Sequence, residues 1–374
     1  MITFLFITLA FLLSLGQIGR ISLLNQQINI YLFEPVIVSM LILLLFRVRL
    51  EINNLEKSLI GLIFIFFLSL LNGFWQFTWQ QNLVGVLYLL RMVIYLLFLI
   101  FLLKVDVKLK DIIGKAILLI IFLTSVFSLL QYFFYPDLRN LYYLGWDPHL
   151  SRIFAPFFDS SITGIIYVLL FFWLSQKKFK WSKYIKIKYF ILFVIFMLIL
   201  LTYSRIAYIG FIIGTIYYLN QKISKLKIFG LIALFTMLLF FLPRPFGESV
   251  KLERLFTIEA RAKDYKSGLE LFVKRPILGY GYNRLKYVRD VTLESHAGSN
   301  FSSSYLTILV STGIIGIFVF MYFLYNFYMY LNTSSRGLLI ILAGTSFLDN
   351  LFLTNFVLLV FILLVSNLNS KKVS

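Results

Sequence analysis

The sequence predicts an all-α, polytopic membrane protein of about 12 transmembrane helices, and three observations lead to this fold class. Hydrophobic residues make up 60% of the 374 residues, whereas soluble domains contain about 45–50% apolar residues. Only 14% of the residues are charged. Apolar stretches approaching the roughly 20 residues that a bilayer span requires recur along almost the whole chain. Together they exclude a water-soluble fold.

The predicted spans follow these apolar stretches in order. The first lies near 1–16 and lacks both a basic segment before it and an Ala-x-Ala-like end after it, so we expect a retained span rather than a cleaved signal peptide. The others are expected near 28–46, 58–75, 83–103, 112–134, 156–175, 187–203, 205–220, 226–242, 304–330, 337–350 and 353–368.

One long polar stretch interrupts the series, between the ninth and tenth spans. It extends over about 243–304 and carries eleven lysines and arginines. Two further arginines, Arg91 and Arg205, fall where spans are expected, and a charge at mid-membrane costs about 3 kcal/mol or more. The polar stretch and these arginines together indicate a cationic site at a membrane surface.

Membrane orientation follows from the distribution of lysine and arginine in the loops, because cytoplasmic loops carry an excess of both. With the N-terminus inside, the short outer loops hold only four such residues: Arg20, Arg139, Arg152 and Arg205. The inner loops hold most of the others, including six lysines between 177 and 188. We therefore expect a multi-pass plasma-membrane protein with both termini cytoplasmic and the 243–304 loop extracytoplasmic.

The net charge of +19 is explained mostly by this topology, since lysines on the inner face meet anionic lipid headgroups. The basic residues flank spans instead of alternating with exposed aromatic residues, which argues against nucleic-acid binding. The chain has no cysteine and only two histidines, His149 and His296. We expect neither a metal site nor a cofactor, since structural and catalytic zinc sites rely on these ligands.

Three short motifs stand out against the predicted spans. The first, Thr202-Tyr-Ser204-Arg205-Ile-Ala207, lies at the outer junction of two spans. The second is in the long loop, where Arg261 is followed by Pro276-Ile-Leu-Gly279-Tyr-Gly281. The third, Tyr305-Leu-Thr-Ile-Leu-Val-Ser-Thr-Gly313-Ile-Ile-Gly316, opens the next span. No internal repeat of the kind common in transporters accompanies them.

In these motifs the chain resembles the Wzy/O-antigen ligase (WaaL-like) family of polysaccharide polymerases and ligases. Members have about twelve spans and a large outer loop between the ninth and tenth. They carry an S-R-x-A element before the loop, an Arg and P-x-x-G-x-G within it, and Y-L followed by G-x-x-G after it. A looser element of the family is similar to Arg152-Ile-Phe-Ala-Pro-Phe-Phe158. The motifs cover roughly residues 150–316.

The chain departs from the family in one place. The family places a histidine three residues before the tyrosine of its last motif, whereas here that position is Ser302 and the nearest histidine is His296. The resemblance leaves two alternatives for the general base. Either His296 reaches the site over a longer local loop, or a carboxylate such as Glu294, Asp264 or Glu270 takes the role.

The resemblance implies a single integral membrane domain over 1–374, with an active site shared between the spans and the loop. It implies transfer of a sugar from a polyprenyl pyrophosphate. Negative charge develops on the pyrophosphate as it leaves, and guanidinium groups held in place are suited to stabilise that charge. Arg205, Arg261 and His296 are the expected catalytic residues. The expected substrate-binding residues are Arg91, Arg152, Tyr265, Gly279, Gly281 and Tyr305.

Each of these residues also has an interpretation without function. Arg205 and Arg91 would reach lipid headgroups from the ends of their helices. Arg261 would form a salt bridge with Asp264 or Asp290. Gly279 and Gly281 would only allow a tight turn.

The expected function is polymerisation of lipid-linked oligosaccharide repeat units into a capsule, exopolysaccharide or O-antigen at the outer membrane face. One alternative is a ligase that moves finished glycan to a lipid or wall acceptor. A flippase or transporter of lipid-linked oligosaccharide is an alternative of another class. Expected partners are the polyprenyl-pyrophosphate-linked oligosaccharide, membrane lipids, and chain-length regulator and flippase proteins.

Overall fold

The computed structural model describes residues 1–24, 26–48, 52–144, 146, 149–177, 182–220, 224–242, 256–289 and 300–369. These residues contain thirteen α-helices and one two-stranded sheet. The helices are α1 (Ile2–Ser14), α2 (Glu34–Leu45), α3 (Asn54–Asn72), α4 (Trp79–Leu103), α5 (Val107–Phe134), α6 (Ser160–Gln176), α7 (Ser182–Leu201), α8 (Arg205–Leu219), α9 (Lys225–Phe240), α10 (Phe256–Lys274), α11 (Ser304–Tyr330), α12 (Thr333–Thr345) and α13 (Asn355–Leu368). The strands are β1 (Arg20–Leu23) and β2 (Ile28–Tyr31).

Seven of the helices start at polar residues whose side chains satisfy some of the first free backbone N–H groups. Asn53 and Thr78 each form a capping box, at the starts of α3 and α4. The side chains of Asp106, Asp159, Ser204, Ser303 and Asn332 accept backbone hydrogen bonds at the starts of α5, α6, α8, α11 and α12.

All twelve predicted spans fall on helices, α1–α9 and α11–α13. Among the described residues, four segments are long and apolar enough to cross a membrane: Asn54–Gln76, Trp79–Leu103, Val107–Phe134 and Ser304–Tyr330. Shorter apolar helices are α1, α2, α6, α8 and α13. The mostly helical architecture is thus confirmed, while a count of twelve crossings stays a prediction.

The second predicted span, 28–46, is only partly helical. Its first residues form β2, which pairs antiparallel with β1 so that Arg20 lies opposite Tyr31. The helix α2 begins at Glu34 with a proline in its first turn, where the missing N–H and fixed φ of proline are tolerated. The sequence analysis did not detect this change from strand to helix, because apolar residues continue through both elements.

The predicted 243–304 loop contains a helix that the sequence analysis did not anticipate. Residues 256–274 form α10, which packs against the first turns of α11. A small apolar cluster joins the two, centred on Tyr280, Leu285, Phe301, Leu306 and Val310. Residues 243–255 and 290–299 of this loop, including His296, lie outside the described residues.

The core of the bundle surrounds α13, whose residues from Val357 to Ser366 are almost all buried. A helix that is apolar on all sides is expected to be enclosed by others, and α13 packs against α4, α5, α6 and α12. Around it, α1 packs on α5, α3 on α11, and α8 on α12.

Lysines assigned to the inner face form more contacts within the protein than the sequence analysis expected. Lys104 forms a 2.7 Å ion pair with Glu56, and both side chains are largely buried. Lys110 donates to the carbonyl oxygen of Asn369 at 2.6 Å. Part of the basic charge therefore holds helix ends together, in addition to any contact with lipid.

Candidate functional site

The turn that carries Arg205 is held tightly between α7 and α8. Tyr203 adopts a positive φ of 49°, and Ser204 caps α8 by accepting a hydrogen bond from the amide of Ala207 at 3.4 Å. This turn packs on α6 at Gly164, where an added Cβ would come within 2.6 Å of the Ala207 Cβ. The close packing fixes Arg205 as the first residue of α8, where its side chain is half-buried.

Arg261 lies on α10 and is likewise half-buried. Its guanidinium is close enough to that of Arg205 for the two positive charges to repel each other. Among the described residues, no carboxylate forms an ion pair with Arg261. The alternative of a salt bridge to Asp264 is therefore wrong, and Asp290 lies outside the described residues. Two neighbouring guanidinium groups are suited to binding an anion such as a phosphate.

Asp264 instead joins α10 to the segment before α11. Its Oδ1 accepts from Arg289 at 2.5 Å, and its Oδ2 accepts from the amide and hydroxyl of Ser302 at 2.5 and 2.8 Å. Arg289 also donates to the carbonyl oxygen of Asn300 at 2.5 Å and lies over the ring of Phe301. Because donors occupy both carboxylate oxygens, Asp264 is poorly placed to accept a proton as a general base.

The other candidates for the general base are not assembled in the described part of the chain. His296 and Glu294 lie outside the described residues. Glu270 is exposed on α10, nine residues beyond Arg261. The assignment of the general base therefore stays a prediction from the sequence.

The segment Pro276-Ile-Leu-Gly279-Tyr-Gly281 docks against a break in α11. Gly313 has a φ of 69° inside this helix, which kinks there. The kink frees backbone groups of α11, and the segment pairs with them. Ile314 donates to the carbonyl oxygen of Pro276 at 2.8 Å, and Gly281 donates to that of Ser311 at 2.8 Å. The second and third sequence motifs are thus two halves of one packed unit.

The glycines in this unit are required by geometry. Gly279 has a φ of 64°, and an added Cβ would lie 2.4 Å from the carbonyl oxygen of Val310. At Gly313 an added Cβ would lie 2.1 Å from the carbonyl oxygen of Ile277. Both contacts are with backbone atoms, which have little room to move, so only glycine fits. The Ser69 hydroxyl of α3 lies 2.7 Å from the carbonyl oxygen of Leu278 and 2.6 Å from that of Ser311.

Arg284, which the sequence analysis did not single out, fastens the same loop to α3 and α4. Its side chain is fully buried and donates to the carbonyl oxygen of Leu70 at 2.7 Å and to the side chain of Asn82. The guanidinium also lies over the ring of Phe77, 5.0 Å from its centroid. Burial lowers the pKa of Arg284 from its ordinary value to about 10. No sequence pattern marks this residue, because all its partners are distant in the chain.

The two predicted substrate-binding tyrosines have partners within the protein. Tyr265 of α10 donates from its hydroxyl to the carbonyl oxygen of Phe347, just beyond α12. Tyr305 donates to the carbonyl oxygen of Ala343 at 3.1 Å, and its ring stacks on Phe347 at 4.1 Å. Both tyrosines therefore tie the loop and α11 to the end of α12.

The other two predicted arginines are each engaged elsewhere. Arg91 pairs with Glu34, with its Nε 3.0 Å from Oε1, and lies over the ring of Tyr88. Arg152 is buried and hydrogen-bonds through Nη2 to His149 Nδ1. The segment after Arg152 leads into α6, which begins at Ser160. The positive charges of Arg205 and Arg261 interact with each other, whereas Arg91 lies in a separate cluster with Glu34.

One family model matches the chain, over residues 190–321, and its description is O-antigen ligase. No curated protein matches the chain. The matched region extends from α7 into α11 and so includes Arg205, Arg261, Gly279 and Gly313. Over these residues the chain is similar to a membrane enzyme family of the O-antigen ligase or polymerase type, and its apolar helices indicate a membrane protein. The resemblance to the Wzy/O-antigen ligase family that the sequence predicts is therefore confirmed by residues 190–321.

Proposed function

We propose that this chain polymerises polyprenyl-pyrophosphate-linked oligosaccharide repeat units into a surface polysaccharide. The observation that supports the proposal is the electrostatic repulsion between the like charges of Arg205 and Arg261. A pyrophosphate carries the charge and the paired oxygens that guanidinium groups bind in a bidentate manner. The repulsion is relieved when such an anion binds between the two groups.

The proposed reaction is a single displacement at the anomeric carbon of the donor sugar. A hydroxyl oxygen of the acceptor forms the new bond to that carbon, and the bond from the carbon to the pyrophosphate oxygen breaks. The hydroxyl proton passes to a general base, and polyprenyl pyrophosphate leaves with the bonding electrons. Arg205 and Arg261 stabilise the charge on this leaving group, and removing one preorganised group of this kind typically costs 10²–10³ in rate.

The proposed orientation places α10 and the docked loop on the extracytoplasmic side, with both termini in the cytoplasm. Lipid-linked repeat units are then presented to the arginines from the outer leaflet, after a flippase has moved them. The loop and the helices act as one integral membrane domain. Chain-length regulators are further proposed partners, because a polymerase of this kind gives products whose length another protein controls.

The test is the length of the surface polysaccharide in cells that carry Arg205→Ala, Arg261→Ala or Arg261→Lys at matched membrane levels. Arg139→Ala is the control, since this exposed arginine pairs with the nearby Asp137 at 2.7 Å. We expect both alanine variants to collapse the polysaccharide ladder to single repeats, Arg261→Lys to give a weak ladder, and the control to give a full one. A full ladder in both alanine variants would overturn the proposal.

The same cells separate the polymerase from its two alternatives. A defective ligase leaves long chains that are not attached to their acceptor, whereas a defective polymerase leaves single lipid-linked repeats. A defective flippase leaves single repeats on the inner face. If the chain is a polymerase, the single repeats accumulate on the outer face. We then expect periodate, which does not cross the membrane, to oxidise them in intact cells. Protection from the reagent would favour the flippase instead.

A further inference from the structure

A polar cavity of about 180 Å³ lies between the β-hairpin, α4 and the start of α13. Sites that enclose drug-sized ligands occupy about 300–1,000 Å³, so this cavity has room for one small ring rather than an extended chain. Five carboxamide side chains line it: Gln17, Asn29, Asn283, Asn300 and Asn355. Four tyrosines line it as well: Tyr31, Tyr88, Tyr95 and Tyr282.

Among the described lining residues the single charged side chain, Arg91, is already neutralised. Its Nε lies 3.0 Å from Oε1 of Glu34, and its Nη2 donates to Oε2 at 3.2 Å and to the carbonyl oxygen of Asn29. Asn355 also approaches this carboxylate, with Nδ2 3.4 Å from Oε1. The cavity is therefore suited to an uncharged, hydroxyl-rich ligand and not to a second phosphate.

The carboxamides supply both donors and acceptors for such a ligand. Asn283 is the clearest case, because its Nδ2 is buried and has no hydrogen-bond partner among the described residues. A buried donor without a partner costs about 1–3 kcal/mol, so a ligand hydroxyl that accepts from it is favoured. The tyrosine rings add flat apolar surfaces, which match the C–H face of a sugar ring.

Three residues connect the cavity to α10, the helix that carries Arg261. Asn300 lines the cavity, and its carbonyl oxygen accepts from Arg289. Arg289 pairs with Asp264 at 2.5 Å, and Asp264 lies three residues from Arg261 on the same face of α10. The cavity is thus linked to the helix of Arg261 through Asn300, Arg289 and Asp264.

We propose that this cavity binds one uncharged sugar ring of the repeat unit, through Asn283, Asn355 and the surrounding tyrosines. The inference rests on the proposed function, because it takes the sugar to belong to the same lipid-linked substrate whose pyrophosphate lies at Arg205 and Arg261. The carboxamides select the ring by its hydroxyl pattern. A site that hydrogen-bonds a substrate hydroxyl rejects analogues lacking it far more strongly than an apolar pocket does.

The test measures binding of the repeat-unit oligosaccharide after mild acid has removed its pyrophosphate and lipid. The full-length protein is purified in detergent, and binding is followed by saturation-transfer NMR and by tyrosine fluorescence. The variants are Asn283→Gly, which suits the φ of 56° at this position, and Asn355→Leu. Asn326→Ala on α11 is the matched control, since its Nδ2 bonds to the carbonyl oxygen of Tyr322 within its own helix at 2.9 Å.

We expect the wild type, Asn326→Ala and Arg261→Ala to bind this oligosaccharide equally. Each cavity variant should bind it about tenfold more weakly, with a melting temperature close to that of the wild type. Equal binding by the cavity variants and the wild type overturns the inference, as does absence of binding to the wild type. Neither result decides the proposed function, which is tested separately by the loss of polymer in the Arg205 and Arg261 variants.

Discussion

Asp264 accepts hydrogen bonds from both the backbone amide and the hydroxyl of Ser302, at 2.5 and 2.8 Å. Ser302 occupies the position where the family resemblance places a histidine. The carboxylate that also pairs with Arg289 therefore fastens this position to α10, the helix of Arg261. In this chain the position has a role in joining α10 to α11, and the proton-accepting group must come from another residue.

The Asp264–Arg289 pair should be important for stability because its side chains are only 10% and 13% exposed. Replacing Asp264 by leucine leaves Arg289 buried without its anion, and breaking a buried pair in this way typically costs about 3–5 kcal/mol. We expect Asp264→Leu to lower the melting temperature strongly. The double variant Asp264→Leu/Arg289→Met should recover much of the loss, since no charge is then left unpaired.

The exposed pair Asp111–Lys115 offers the matched control for this cycle. Its side chains are 67% and 74% exposed, and exposed pairs contribute at most about 1 kcal/mol. Lys115→Ala should therefore leave the melting temperature almost unchanged. If the double variant is as unstable as Asp264→Leu alone, the contacts of Asp264 with Ser302 rather than the charge pair determine the stability.

The sequence predicted the glycine motifs but not how they are used. Gly279 and Gly313 were visible as parts of two short patterns separated by more than thirty residues. Their positive φ values and the hydrogen bonds between the loop and the kinked helix depend on tertiary packing. A turn at Gly279 follows from local chemistry, whereas the break in α11 at Gly313 does not, because the surrounding residues are strongly apolar.

Alanine at Gly279 or Gly313 should prevent the loop from docking on α11. The added Cβ would lie 2.4 Å from the carbonyl oxygen of Val310 or 2.1 Å from that of Ile277, in addition to the strain of a positive φ. We expect loss of polymer and protease sensitivity after α10 in membranes. Gly230→Ala on α9 is the control, because beyond the nearby backbone of α9 no atom of the described residues lies within 4 Å of its added Cβ, and alanine favours helix.

Normal polymer length in Gly313→Ala would show that the docked arrangement is not required for activity. An equal loss in Gly230→Ala would point instead to a general sensitivity of the helices to substitution. The two glycines are expected to behave alike, since each lies against the backbone of the other's segment.

The candidate site was predictable only where residues act through short patterns. The pair Arg205 and Arg261 followed from the resemblance, and the two positive charges interact in the structure. Arg284 was missed because its partners, Leu70 and Asn82, are about two hundred residues away in sequence. The cavity around Asn283 was missed for the same reason, since its lining residues are spread along the chain from Gln17 to Leu358.

Membrane orientation is testable because the chain has no cysteine, so that single cysteines can be introduced without background. Lys266 is exposed on α10 and Lys115 is exposed on α5. We expect Lys266→Cys to react with a membrane-impermeant maleimide in intact cells, and Lys115→Cys only after the cells are opened. The reverse pattern would place α10 in the cytoplasm and remove the basis for transfer at the outer face.

Lys286, in the loop after α10, should make stability depend on pH. Burial lowers the pKa of Lys286 from 10.5 to about 8, and its Nζ donates to the carbonyl oxygen of Gln27 at 3.2 Å. Between about pH 8 and 10.5 the unfolded chain binds more protons at this group than the folded chain does, so its contribution to stability rises with pH there. Below pH 8 the penalty for burying the charge is fully present.

We therefore expect the stability of Lys286→Met relative to the wild type to be highest near pH 7 and to decline steadily towards pH 10, as measured by melting in detergent. Lys115→Met, at an exposed position, controls for the loss of a lysine as such. A difference that does not change with pH would mean that Lys286 does not lose its proton in this range in the folded protein.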